Sequence, residues 1–195
     1  MALESYQQQD LMYDILGTFN ISPGASLFNI VAGWVEDGAT RTEVINALVA
    51  HPLFSDNAIG EYPNSLSNEQ YIDRWMGNVF GAANSGLIDP VVYQAVDDLL
   101  VGWLQSGFTR AQVIETSVLY LQSYQTNPGF PADLVDAAEA FANRVDVALY
   151  QAVELGLSIE FQTLDDLRPP LENVTDDPQS VVDAKAALDQ IANPT

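Results

Sequence analysis

The chain has 195 residues, 27 acidic and six basic, for a formal charge of −21 and a pI near 4.1. Its 48% hydrophobic content suits a packed core and argues against a disordered acidic tail. So few Lys and Arg argue against nucleic acid or an anionic membrane surface as partner, and the lack of cysteine removes disulfides, thiolate metal sites and a Cys nucleophile.

Apolar residues recur at spacings of three and four far more often than two, which predicts helices. Leu3, Tyr6, Leu11, Ile15 and Leu16 mark a first helix expected to stop near Gly17, before a turn at Ser22-Pro23-Gly24. Leu27, Phe28, Val31, Trp34 and Val35 mark a second, ending about Gly38, and Thr40 opens a third. The stretch from His51 to Ser67, with Pro52, Gly60 and Pro63, reads as a connection. A fresh helix then runs from Asn68 to a turn at Ala83-Asn84-Ser85-Gly86, and the next begins with Asp89 as N-cap and Pro90 at N1. Further helices are expected over Arg110 to Tyr124, over 133–155, briefly around Phe161–Leu167, and from Pro178 to Ile191 behind Asp176 or Asp177. No run approaches ~18 apolar residues, so no membrane-spanning helix is expected. The opening residues lack a basic segment followed by a long apolar run, so no Sec-type signal is read there.

One phrase occurs twice. Residues 33–45 read GWVEDGATRTEVI and residues 102–114 read GWLQSGFTRAQVI. Trp34, Gly38, Thr40 and Arg41 recur as Trp103, Gly107, Thr109 and Arg110, at a constant offset, which points to a duplicated structural unit. Thr40 with Glu43, and Thr109 with Gln112, fit a capping box, in which each side chain satisfies the other residue's free backbone N–H. The tryptophans are expected to anchor the core, with stacking on sugars as the sharper alternative. The two arginines are expected to form structural ion pairs or helix-end contacts. The resulting expectation is an all-α fold of about eight helices: two duplicated units, residues 1–58 and 66–127, and a C-terminal helical extension, residues 131–195.

Catalytic signals are weak. His51 is the sole histidine and stands in no motif, and no Gly-x-Ser-x-Gly elbow occurs. Carboxylate pairs such as Glu36/Asp37, Asp97/Asp98, Asp165/Asp166 and Asp176/Asp177 arise freely among 27 acids, so a two-carboxylate glycosidase is a remote reading. Calcium is the one cofactor the composition admits, because hard oxygen ligands abound. No EF-hand spacing is present, and a solvated acidic face is the plainer reading.

The repeated residues resemble the DUF4214-type helical domain of bacteria, itself similar to the helical domain of phycobilisome linkers. The match rests on Tyr13, Leu16, Gly17, Trp34, Gly38, Thr40, Arg41, Val44 and Phe54, and again on Tyr71, Val79, Phe80, Gly81, Trp103, Gly107, Thr109, Arg110 and Val113. Asn143, Arg144, Val145, Val147 and Tyr150, then Val174, Thr175, Asp177, Ser180, Val181, Ala184 and Lys185, resemble two phrases that often follow such domains. The resemblance implies S-layer proteins, adhesins and surface proteins exported by type I secretion, although the Gly-Gly-x-Gly-x-Asp calcium repeats usual there are missing. With the apolar content set against a charge of −21, the expectation is a non-enzymatic, extracellular structural protein whose partner is itself, as homo-oligomer or polymer, with Ca²⁺ bridging acidic faces. The alternative is a module binding carbohydrate or cell-envelope polysaccharide through exposed aromatics such as Tyr62, Tyr93 or Tyr124. An intracellular linker scaffold fits less well, because linkers are usually basic.

Overall fold

Hydroxyl and carboxylate side chains start most helices of this chain. The computed structural model describes residues 3–81 and 86–193. Those residues are 69% helical with no strand, an all-α fold. The helices are α1 Ser5–Phe19, α2 Gly24–Glu36, α3 Arg41–Ala50, α4 Pro52–Ser55, α5 Asn68–Phe80, α6 Pro90–Gln105, α7 Arg110–Gln122, α8 Val135–Leu149 and α9 Pro178–Ala192. The expected turn at Ala83, Asn84 and Ser85 lies outside the described residues. Thr40, Ser67 and Thr109 each form the expected type of capping box, with Glu43, Gln70 and Gln112. Asp89 and Asp177 accept from the backbone N–H two residues on and place proline at N1.

Helix α1 lies at the centre. Every residue from Leu11 to Phe19 is buried, and α1 packs against α2, α3, α5, α7 and α8. It runs past Gly17 and ends at Asn20, which takes the left-handed conformation (φ 49°). Gly17 is a packing residue instead of a helix stop: a Cβ there would lie 2.2 Å from Cγ2 of Val118, so its absence lets α1 and α7 approach closely. The connection from His51 to Ser67 holds α4 and two side chains, Phe54 and Tyr62, that join Tyr71 in a fully buried aromatic cluster. Buried side chains of residues 1–58, 66–127 and 131–195 meet in one continuous core.

The C-terminal extension clasps the first repeat. Helix α8 continues into a π-helical turn, Tyr150–Glu154, and α2 packs on that turn. The Ser22 hydroxyl donates to Oε1 of the fully buried Gln151 at 2.5 Å. The Ala25 N–H bonds the Leu157 carbonyl at 2.7 Å and the Ser22 N–H bonds that of Leu167 at 2.9 Å. Gly24, at φ +61°, fits beneath this strap because a Cβ would meet the Leu157 carbonyl at 3.0 Å.

Arg144 of α8 is the polar centre of the packing. Its side chain is 1% exposed. It donates to Asn20 Oδ1 at 2.7 Å and to the carbonyls of Val79 and Ala140. Asn20 caps the end of α1 and Val79 lies in the last turn of α5, so one guanidinium answers the negative ends of both helices. Burial pushes the Arg144 pKa down to about 9, which leaves it charged at neutral pH.

Candidate interaction surface

The repeated phrase builds the same joint twice. In the first copy the Gly38 N–H bonds the Val35 carbonyl and the Ala39 N–H bonds that of Trp34. In the second, Gly107 bonds Leu104 and Phe108 bonds Trp103. This is the Schellman arrangement, and it needs the left-handed backbone that Gly38 (φ 100°) and Gly107 (φ 103°) supply. Thr40 and Thr109 then restart the chain as α3 and α7. The hydrogen bonds from the Thr40 backbone and hydroxyl hold the Glu43 carboxyl below its usual range.

Neither tryptophan is a deep core anchor, contrary to expectation. Trp34 is 37% exposed and Trp103 is half-buried. Trp103 packs against the edge of the core beside Val96, Leu99 and Tyr120, whereas Trp34 stands on the exposed side of α2. Trp103 finds Phe108, stacked at 5.7 Å, whereas the corresponding residue in the first copy is the small Ala39. The buried tryptophan is Trp75, whose Nε1 donates to the Gly17 carbonyl at 2.8 Å. Tyr62, expected on the surface, is fully buried because its ring completes the aromatic cluster and its hydroxyl meets Asn78 Nδ2 at 3.0 Å. Tyr93 and Tyr124 are half-buried.

The two arginines share a position but not a partner. Arg41 donates from Nε to Asp14 Oδ1 at 2.9 Å and from Nη2 to Gln122 Oε1 at 2.9 Å, so it ties α1 to α7. Asp14 is 2% exposed. Burial pushes its pKa up to about 7, against the opposing pull of Arg41. Arg110 instead donates to the carbonyls of Tyr62, Pro63 and Leu66 and lies over the Tyr71 ring at 4.3 Å. It fastens the connecting segment.

The second copy leaves an open apolar groove. Helix α6 buries only Leu100 and Val101, although it is apolar on more than one face. Between α6, α7 and the start of the C-terminal extension lies a groove of about 830 Å³. Val91, Leu99, Trp103, Leu119, Tyr120 and Leu134 form much of its wall, with Thr116 and Ser123 as polar lining, and none of its lining residues is charged. Val91 is 77% exposed and Leu99 52%. Phe130 stacks on Tyr120 at 5.0 Å. Beneath the groove a smaller void of about 90 Å³ is walled by Trp75, Leu99, Leu100 and Ser117, and the buried Ser117 hydroxyl has no hydrogen-bond partner. A loosely seated α6 accounts for both features.

Four further candidates, His51, Asp165, Asp166 and Asp177, have structural roles. His51 Nδ1 accepts from the Leu53 N–H and so caps α4. Asp166 accepts from the backbone of Gln162 and Thr163, Asp165 pairs with Arg168, and Asp177 caps α9. Among the described residues no three His, Asp or Glu side chains converge to hold a metal ion, and no single helix is long and apolar enough to cross a membrane. Comparison with known protein families, with curated proteins and with solved structures returned no significant match.

Proposed function

We propose that this chain is a non-enzymatic structural module of the bacterial surface that associates with copies of itself. The observation that carries the reading is the uncharged groove on the second repeat of a molecule with a formal charge of −21. A water-exposed apolar surface of that kind marks a protein contact more often than a catalytic cleft. It is also the place where two strongly acidic molecules can meet without opposing carboxylates. Support for the surface setting comes from the resemblance of the repeated phrase to bacterial surface proteins. Calcium enters as a diffuse counter-ion on acidic faces, beside ordinary salt, which shortens the range of repulsion to ~3 Å at molar ionic strength.

Light scattering across salt and Ca²⁺ concentrations tests the reading. The mass is expected to sit at the 21.2 kDa of the monomer in dilute buffer and to rise as salt or Ca²⁺ is added. A monomer at every ionic strength, with and without Ca²⁺, would sink it.

A further inference from the structure

A second uncharged surface lies on the first repeat. No residue from Ile15 to Val35 carries a charge, and this stretch includes nearly all of α2. Along the outer face of α2, Asn29, Ile30 and Trp34 are exposed, with Ile30 at 57%. Gly33, between them, has open space where a Cβ would stand. The ridge is therefore uncharged as far as Val35, meets the exposed Glu36 and Asp37 at its C-terminal end, and is notched by a glycine that allows close approach of another helix.

The ridge and the groove occupy different flanks. Helix α2 packs on α1, α3 and the π-helical turn, whereas α6 packs on α5 and α7. Their lengths also agree: the 13-residue α2 spans ~20 Å and the 16-residue α6 ~24 Å at ~1.5 Å per residue. We infer that the α2 ridge of one molecule seats in the α6–α7 groove of the next, a head-to-tail contact between copies of this chain. The inference rests on the self-association proposed above and names the two surfaces that meet.

Once salt screens the repulsion between copies, the placement of the basic residues limits which surfaces can meet. Arg41 is held by Asp14, Arg110 by three carbonyls, Arg144 is buried, Arg168 lies between Glu61 and Asp165, Lys185 pairs with Asp146 and Arg74 donates to the Glu61 carbonyl. All six basic residues are thus engaged within the fold, and no cationic face is left over to meet a neighbour's carboxylates. Contact between copies is left to neutral surfaces, and the ridge as far as Val35 and the groove are matched in being uncharged. Because the two surfaces differ, the contact is heterologous, and unless its rotation closes a ring it propagates into an open chain.

Paired charge substitutions test the arrangement. Ile30→Glu spoils the ridge and Leu99→Glu the groove, both at exposed positions where the fold tolerates change; unchanged circular dichroism and melting would establish that both variants fold. In salt that assembles the parent chain, each variant alone is expected to remain a monomer. Mixed in equal amounts, they are expected to form a complex of twice the monomer mass and no larger, because the intact groove of one takes the intact ridge of the other. If Leu99→Glu abolishes assembly while Ile30→Glu assembles normally, the groove pairs with itself and the ridge assignment is wrong. Normal assembly by both variants places the contact elsewhere and overturns the inference while leaving self-association intact. A parent chain that is monomeric in all salts yet captures a cationic amphipathic peptide, with affinity falling as salt rises, overturns both.

Discussion

The two repeats share a joint and differ in their surroundings. In the first, α2 begins under a strap of hydrogen bonds from residues 151–167, and the half of α1 from Leu11 to Phe19 beside it is buried. In the second, no comparable strap crosses α6 among the described residues, and α6 buries two residues and borders an open groove. The arginines follow the same division. Arg41 answers a buried carboxylate, whereas Arg110 answers neutral backbone carbonyls, that of the buried Tyr62 and those of the half-buried Pro63 and Leu66. A duplicated local motif fixes how one helix ends and the next begins. What covers each helix is settled by the rest of the chain: α8 packs on α1, α5 and α7 alike, but the strap of residues 151–167 crosses the first copy.

The largest effect is expected where the copies are treated alike. Arg144→Met removes the group that answers both α1 and α5. It strands Asn20 Oδ1 and the Val79 carbonyl in the interior, at ~1–3 kcal/mol per unsatisfied buried group. A loss of ~4 kcal/mol is expected, or ~8–16 °C in melting temperature for a chain of this length. Thermal unfolding checks it, and a shift under ~2 °C would remove Arg144 from its central place.

The comparison sharpens at the arginine pair. Arg41→Ala leaves the Asp14 carboxylate buried without its cation, a change that costs ~3 kcal/mol or more. Arg110→Ala unpairs neutral carbonyls, two of them on half-buried residues, in place of a buried charge, and removes one cation–π contact, so ~1–2 kcal/mol is expected. Urea unfolding of the two variants at pH 7.5 measures the difference. Equal losses would mean that the buried ion pair and the carbonyl clasp are equivalent.

Asp14 also gives the first repeat a pH dependence that the second follows only through the less buried Asp97, whose pKa is raised by partial burial and the neighbouring Asp73. The Asp14 pKa is near 3.8 as an isolated side chain and about 7 in the folded chain, so the folded state binds the proton more tightly. Its stabilising contribution is fully present below pH ~3.8 and is lost as pH rises through 7. Glu43, Glu69 and Asp166 run the other way: their pKa values are lowered by hydrogen bonds, so their contributions vanish only on stronger acidification. Between pH 7.5 and 5 the urea midpoint is therefore expected to rise, and Asp14→Asn is expected to flatten that rise. An unchanged slope in the variant would count against Asp14 as its source. The smallest effects belong to the shared caps. Thr40→Ala and Thr109→Ala are each expected to lose ~1 kcal/mol, and a clear inequality would show that the joint itself is not equivalent in the two copies.

Features carried by neighbouring residues were legible in the sequence. The glycine stop, the threonine restart and the Asp177 cap depend on a few consecutive side chains, and the structure has all three. Features that depend on distant partners were not. Gly17 looks like a helix stop until Val118, 101 positions later, arrives against it. Tyr62 sits in a polar, proline-containing stretch, and only Phe54 and Tyr71 make it a core residue. Trp75 outranks the two repeated tryptophans because its helix faces α1. Arg144 did leave a signal: Phe141, Val147 and Ala148 flank it at spacings of three and four, so an arginine lies on the apolar stripe of α8. The groove left one as well, since Val91, Val96, Leu99, Leu119 and Tyr120 exceed what one buried face per helix requires.

The central position of α1 has a consequence for how the chain is made. Its principal neighbours include α7 and α8, whose residues follow it by roughly a hundred positions or more. At a synthesis rate of ~5–20 residues per second, Leu11, Met12, Ile15, Leu16 and Phe19 wait ~5–25 s for partners to emerge. The first repeat cannot finish its own core during that interval. A nascent chain of this kind stays extended and open to capture by chaperones until α8 is complete, and native contacts so far apart in sequence place its folding among the slower helical proteins.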